Sequence, residues 1–270
     1  MLGDYGVMNK FVTSRWDSIF QIWDALADFD AASLIEARDF FLKELCALLG
    51  AQNASWVGAV LMDNPQSSDP LGGWRPRTVH RLLTSGPKSR TILNKKKKAL
   101  EQGQPDIVTI RRVALAGTFR VHRLVDIAPE GWFESRYYKA FYLADRIRDT
   151  MWAGIPVNAD TEVYVGLFRS LDHAPFSAEE ADTFAFALQG LKWFHRRQLL
   201  GEGIGAALEP LTATERAVLE QLLSGLSEPA IARDRDQSVH TTHDHVKRIY
   251  KKYGVTSRSA LMALWLGFSP

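Results

Sequence analysis

Apolar residues recur at three- and four-residue spacing over residues 16–29 and again over 33–49, the period of one face of an α-helix, so each stretch is predicted to be helical. Residues 55–62 form a short apolar run closed by Asp63-Asn64-Pro65, which predicts a buried strand ending in a turn. Further strands are predicted over 78–83, 107–113, 119–124, 151–157 and 163–168, with helices over 88–101 and 134–144. This alternation implies an α+β domain with a central, mostly antiparallel sheet flanked by helices. Ser177-Ala178-Glu179-Glu180 has the capping-box pattern, in which each side chain takes a free backbone N–H of the first turn. One long helix is expected from there through Phe184, Leu188, Leu191 and His195 until Gly201.

Gly201-Glu202-Gly203-Ile204-Gly205, followed by Pro210, interrupts helices and reads as an interdomain linker. The expected division is a first domain over 1–200, a linker over 201–210 and a second domain over 211–270. In the second domain Thr212 to Glu215 is another capping box, followed by the apolar face of Val218, Leu219, Leu222 and Leu223. Gly225 can end that helix, and Ser227 can cap the next, with Pro229 in its first turn and Ile231 and Ala232 facing inward. A third helix begins between Ser238 and Thr241. Thr242, Val246, Ile249 and Tyr253 form its buried stripe; His240, Asp244, Lys247 and Lys251, flanked by His243 and Arg248, form the opposite one.

These residues carry a resemblance to the LuxR-type DNA-binding domain, a four-helix, all-α form of the helix-turn-helix. The match runs through Leu211-Thr212, Glu215, Val218-Leu219, Gly225, Ser227, Ile231-Ala232, Ser238, Thr241, His245, Ile249, Lys252, Gly254-Val255, Ser257-Arg258 and Ala260. The resemblance implies that the third helix enters the major groove of double-stranded DNA, where base edges present distinguishable donor and acceptor patterns. By position His243, Asp244 and Lys247 are the base-reading candidates, and Thr241, Arg248, Lys251 and Arg258 the phosphate candidates. The chain departs from the family pattern where Arg235-Asp236-Gln237 replaces the usual Leu-Gly-Ile of the turn, Thr242 a usual Val, and Tyr253 a usual Leu.

Charge sharpens the contrast between the two parts. The 270 residues carry a formal charge of +2, yet residues 238–258 hold five basic side chains against one acidic. The charge therefore concentrates on the candidate DNA-reading helix, and the near-neutral remainder suits a sensor. A single cysteine, Cys46, set among Phe41, Leu42 and Leu45, reads as a buried inert thiol. No apolar run approaches the length of a membrane span, and a cytoplasmic location without membrane contact is expected. The sequence has no P-loop, zinc-protease motif, paired Cys-x-x-Cys or nucleophile elbow, so neither an enzyme, a cofactor nor a metal is expected.

The order of elements in the first domain is similar to GAF or PAS sensory domains. In such folds the aromatic segment holding Trp132, Tyr137 and Tyr138 closes over a ligand pocket, which makes these three the ligand-binding candidates. His80 and His122 are expected to be structural. Together the resemblances imply a one-component transcriptional regulator acting as a homodimer, with a small-molecule effector as a possible partner. The alternative is a GAF-type signalling module whose degenerate helix-turn-helix tail mediates protein contact.

Overall fold

The computed structural model describes residues 14–63, 66–83, 86–102, 104–204 and 211–267. Its helices are α1 (Arg15–Asp28), α2 (Leu34–Leu49), α3 (Gly86–Glu101), α4 (Ile107–Val113), α5 (Leu124–Ile127), α6 (Arg136–Phe141), α7 (Ala178–Leu188), α8 (Lys192–Gly201), α9 (Ala213–Leu223), α10 (Glu228–Asp234), α11 (Val239–Tyr253) and α12 (Arg258–Trp265). The strands are β1 (Asn53–Leu61), β2 (Trp74–Arg81), β3 (Arg120–Arg123), β4 (Ile147–Pro156) and β5 (Thr161–Ser170). They form one sheet in the order β2-β1-β5-β4-β3 with every neighbouring pair antiparallel. The α+β class and the antiparallel sheet therefore stand as expected.

Period-two alternation sorts the strands onto two faces. Ala54 and Trp56 of β1, Met151, Ala153 and Ile155 of β4, and Val163, Val165 and Leu167 of β5 point into a core shared with α1, α2, α7 and α8. Ser55 and Val57, Thr150 and Trp152, and Tyr164 and Phe168 point the other way, beneath α3, α4 and the segment around α6, where a cavity lies. Gly166 permits this arrangement, because a Cβ there would meet the Trp152 ring at 2.7 Å. A smaller cluster of Val108, Leu124, Ile127, Trp132, Tyr138, Tyr142 and Ile147 closes the far side of the cavity wall.

Three expectations are corrected. Residues 107–113, rich in β-branched side chains, form α4 rather than a strand, because Asp106 accepts the N–H groups of Val108 and Thr109 at 3.0 and 3.1 Å and starts a helix. The helix over 134–144 is broken into a 3-10 turn at Trp132–Glu134, the short α6 capped by Ser135, and a second turn at Leu143–Asp145. The single long helix after Ser177 is two, α7 and α8, because the chain turns at Gly190 with φ of 83°. The capping boxes at Ser177/Glu180 and Thr212/Glu215 are both formed. Of the predicted linker, 201–204 complete the end of α8, and 205–210 lie outside the described residues.

Helices α9 to α12 enclose a second core of Val218, Leu219, Leu222, Ile231, Val246, Ile249, Tyr253, Leu261 and Trp265. Leu200 of α8 belongs to it as well, and the Tyr253 hydroxyl donates to the Leu200 carbonyl. The last turn of α8 is thus bound into the packing of the C-terminal helices.

Candidate nucleic-acid interface and ligand cavity

In α11 the N-cap Ser238 accepts the Thr241 N–H at 3.0 Å, and Gly254 closes the helix in the left-handed conformation with φ of 65°. Thr242, Val246, Ile249 and Tyr253 are buried, as the spacing predicts. His240, Thr241, Lys247, Arg248 and Lys251 are exposed on the opposite side, with Asp244 half-exposed among them. Among the described residues Lys247, Arg248 and Lys251 form no ion pair, whereas Lys252, on the inner edge, binds the capping-box Glu215 at 2.8 Å. The helix therefore has one face locked into a core and one carrying uncompensated positive charge.

The seven candidates do not stand alike. Thr241, Asp244, Lys247, Arg248 and Lys251 share the solvent side of α11. Asp244 lies 3.7 Å from His240 Nε2, and its carbonyl accepts Arg248 Nε at 3.2 Å. The His243 ring is held by Glu228 of α10, with Nδ1 2.8 Å from the carboxylate. Arg258 turns its guanidinium to the end of α9, donating to the carbonyls of Leu226, at 2.8 Å, and Leu222.

The departures in the turn prove to be matched to one another. Asp236 occupies the left-handed region, φ 49°, where the resembled pattern has glycine; aspartate is among the few other residues that tolerate it. Gln237 donates through Nε2 to the hydroxyl of the fully buried Thr242 at 2.7 Å. The two polar replacements thus satisfy each other where the family pattern would place two apolar side chains.

The cavity on the other face of the sheet measures about 370 Å³. Its floor is sheet, including Thr150 and Trp152; its roof is α3 and α4, and Tyr137 and Tyr142 form one side. Tyr137 is the one of the three ligand candidates that lines it, donating to Asp106 Oδ2 at 3.0 Å. Trp132 and Tyr138 lie behind this wall, Trp132 against Tyr137 with ring centroids 5.3 Å apart and Tyr138 stacked on Tyr142 at 5.4 Å. Trp132 and Tyr138 therefore support the wall without lining the space.

Two cations that the sequence reading did not single out reach the cavity. Arg112 of α4 is buried, its guanidinium carbon 4.7 Å from the Trp152 ring. Lys96 of α3 holds its ammonium 4.2 Å from the centre of the Tyr142 ring, and burial lowers its pKa to about 8 against a partial offset from Asp106. The run Lys95 to Lys98 is split between two sides of α3, with Lys95, Lys97 and Lys98 exposed and Lys96 turned inward. Of the two histidines expected to be structural, His80 meets Asp39 at 2.7 Å, while His122 Nε2 is buried without a partner among the described residues.

With this geometry established, the comparisons fall into place by region. Residues 209–265 match the family model "Bacterial regulatory proteins, luxR family". The C-terminal helices are a LuxR-type domain. The chain is 30% identical over 127 residues to the "Monoamine regulon transcriptional regulator" of Klebsiella aerogenes, a stretch covering 47% of this chain and 54% of the relative. It is 43% identical over 53 residues to the "Probable transcriptional regulatory protein NarL" of Mycobacterium tuberculosis, covering 20% of this chain and 24% of the relative. The chain thus spans about half the length of the first of these relatives and about a quarter of the second; both are transcriptional regulators, not enzymes. Among solved structures it is similar to Escherichia coli SdiA, at 15% identity and a TM-score of 0.44 over 94% of this chain and 97% of that one. The VqsR LBD domain from Pseudomonas aeruginosa is similar at 17% identity and a TM-score of 0.39, over 69% of this chain and 98% of that one. No described helix is long and apolar enough to cross a membrane.

Proposed function

We propose that this protein is a one-component transcriptional regulator in which a GAF/PAS-like sensory domain, residues 1–200, controls binding of double-stranded DNA by a LuxR-type domain, residues 211–270. The observation that carries this reading is the two-faced α11, with Thr242, Val246, Ile249 and Tyr253 packed inward and Lys247, Arg248 and Lys251 free of ion pairs among the described residues. In this reading α11 lies in the major groove. Lys247 and Asp244 read base edges, joined by His243 through the ring nitrogen that Glu228 leaves free, and Thr241, Arg248 and Lys251 contact phosphates. Arg258 contributes chiefly by fixing α12 against the end of α9. One such helix spans few base pairs, so a homodimer on paired half-sites is part of the proposal. The cavity of about 370 Å³ supports a small-molecule effector.

The test is selection of duplexes from random DNA by the full chain, followed by binding measured across salt. Affinity is expected to fall steeply as salt rises, because phosphate contacts release counterions. Lys247→Ala is expected to cost ~1–3 kcal/mol and relax base preference at one position, while Lys251→Ala weakens all duplexes alike and lowers the salt slope by about one. Lys98→Ala, on the exposed face of α3, serves as the unchanged control. Sedimentation showing only monomer on DNA would exclude the dimer, and absence of any duplex preference at low salt would favour the protein-contact alternative.

A further inference from the structure

The cavity roofed by α3 and α4 has a chemical asymmetry. Its two carboxylates are taken up by the protein itself. Asp106 accepts from Thr109 and Tyr137 as well as capping α4, and Asp145 pairs with Arg81 at 2.9 Å. Its buried cation is not: Arg112 is only 7% exposed, and its Nε and Nη2 have no hydrogen-bond partner among the described residues. These two atoms form one edge of the guanidinium, the edge whose parallel donors match the two oxygens of a carboxylate. Thr150, 1% exposed on the cavity floor, presents its hydroxyl to the same space. The Lys96 ammonium reaches the same space, and among the described residues neither it nor Arg112 forms a salt bridge with a carboxylate. The hydroxyl of Tyr142 lies beside both Arg112 and Thr150. The remaining walls are largely apolar, with the aromatic Trp74, Trp152, Tyr137 and Phe168 beside aliphatic residues such as Leu71, Ile92 and Leu100.

A buried charge with open donors is costly unless something compensates it. A neutral effector could accept from the Arg112 edge but would leave its charge uncompensated. We propose that the cavity binds an aromatic carboxylate, whose anionic end takes the Nε and Nη2 edge of Arg112 with Lys96 beside it and whose ring lies among Trp152, Tyr137 and Tyr142. This proposal rests on the sensory reading of the first domain and names the ligand class of that site. Burial and the nearby Arg112 both disfavour the charged form of Lys96, so a bound anion relieves the site as well as being held by it.

The experiment uses the full chain and matched acid and amide probes of one shape: cinnamate with cinnamamide, and indole-3-carboxylate with indole-3-carboxamide. Binding is read by titration calorimetry and by quenching of the tryptophans. At least one acid is expected to bind ten times or more tightly than its amide. Arg112→Met is expected to abolish that preference while leaving the amide affinity within about twofold, and Lys96→Met to reduce it severalfold. Arg112 is buried in α4, so the second change, at the partly buried Lys96 of α3, gives an independent readout. Equal binding of acid and amide, or amides that bind where acids do not, would overturn the charge assignment while leaving a sensory cavity intact. If no acid or amide binds up to millimolar concentration, both the assignment and the sensory reading of this cavity fail.

Discussion

His195 is fully buried on α8, where its Nδ1 accepts the indole N–H of Trp56 at 3.2 Å and its Nε2 has no partner among the described residues. Indole can only donate, so the proton of the neutral imidazole resides on Nε2. Burial pushes the pKa down to about 3, below the ordinary 6.5. Between these values the unfolded chain binds a proton that the folded chain does not, so stability rises with pH through the window and falls as acid is added below 6.5. His195 should contribute about 1.4 kcal/mol per pH unit between pH 6 and 5, before most carboxylates titrate. Urea unfolding at several pH values checks this: His195→Gln, which retains an acceptor for Trp56, should flatten that slope by about one proton. Nothing at the level of pattern distinguished this histidine from its apolar neighbours on the stripe. Arg112 was equally hidden, since its role depends on the packing of α4 over sheet residues distant in the chain, Thr150 and Trp152 of β4 among them.

At the scale of elements, the turn between α10 and α11 is where this domain departs most from the family it resembles. Asp236 bears a positive φ at some conformational cost, and Gln237 satisfies a hydroxyl that replaces a buried methyl group. Asp236→Gly should stabilise the domain by ~0.5–1 kcal/mol. Gln237→Ala should destabilise it by ~1–3 kcal/mol, because Thr242 then keeps a buried unsatisfied hydroxyl, and the double change Gln237→Ala with Thr242→Val should recover most of that loss. Thermal melting of the unaltered protein, Gln237→Ala, Thr242→Val and the double variant measures the coupling; additive effects would refute the pairing. The same scale explains which elements were legible. Capping boxes at Ser177 and Thr212 identified helix starts because their pattern is local. The β-branched run at 107–113 was misleading, although Pro105-Asp106 before it is a helix-start signal that outweighs β-propensity.

For the whole molecule, the contact of interest is Tyr253 with Leu200. The hydroxyl of the last α11 residue bonds the carbonyl of the α8 end, and the ring packs against Trp265 with centroids 5.7 Å apart. The sheet of the first domain rests on α8 through Trp56 and His195, and α8 ends inside the core of the C-terminal helices. A change in the first domain therefore has a direct mechanical route to α11. Tyr253→Phe should remove ~0.5–1.5 kcal/mol from this junction. Hydrogen exchange should then speed by about two- to tenfold in the amides at the end of α8, with the β4 and β5 amides unchanged. Unaltered exchange at Leu199 to Gly203 would mean that the contact does not hold the junction.

By itself the sequence determined the α+β class, the position of the first three C-terminal helices and the two faces of α11. All of these follow from periodicity and caps, which act within a few residues of one another. Only the tertiary structure decided which aromatics line the cavity, that Lys96 turns inward from a run of lysines, that Arg112 presents an open edge, and that the two cores meet at Leu200. Those properties arise from residues far apart in the chain sharing one volume, and local pattern carries no information about which distant side chains will leave a charge unpaired.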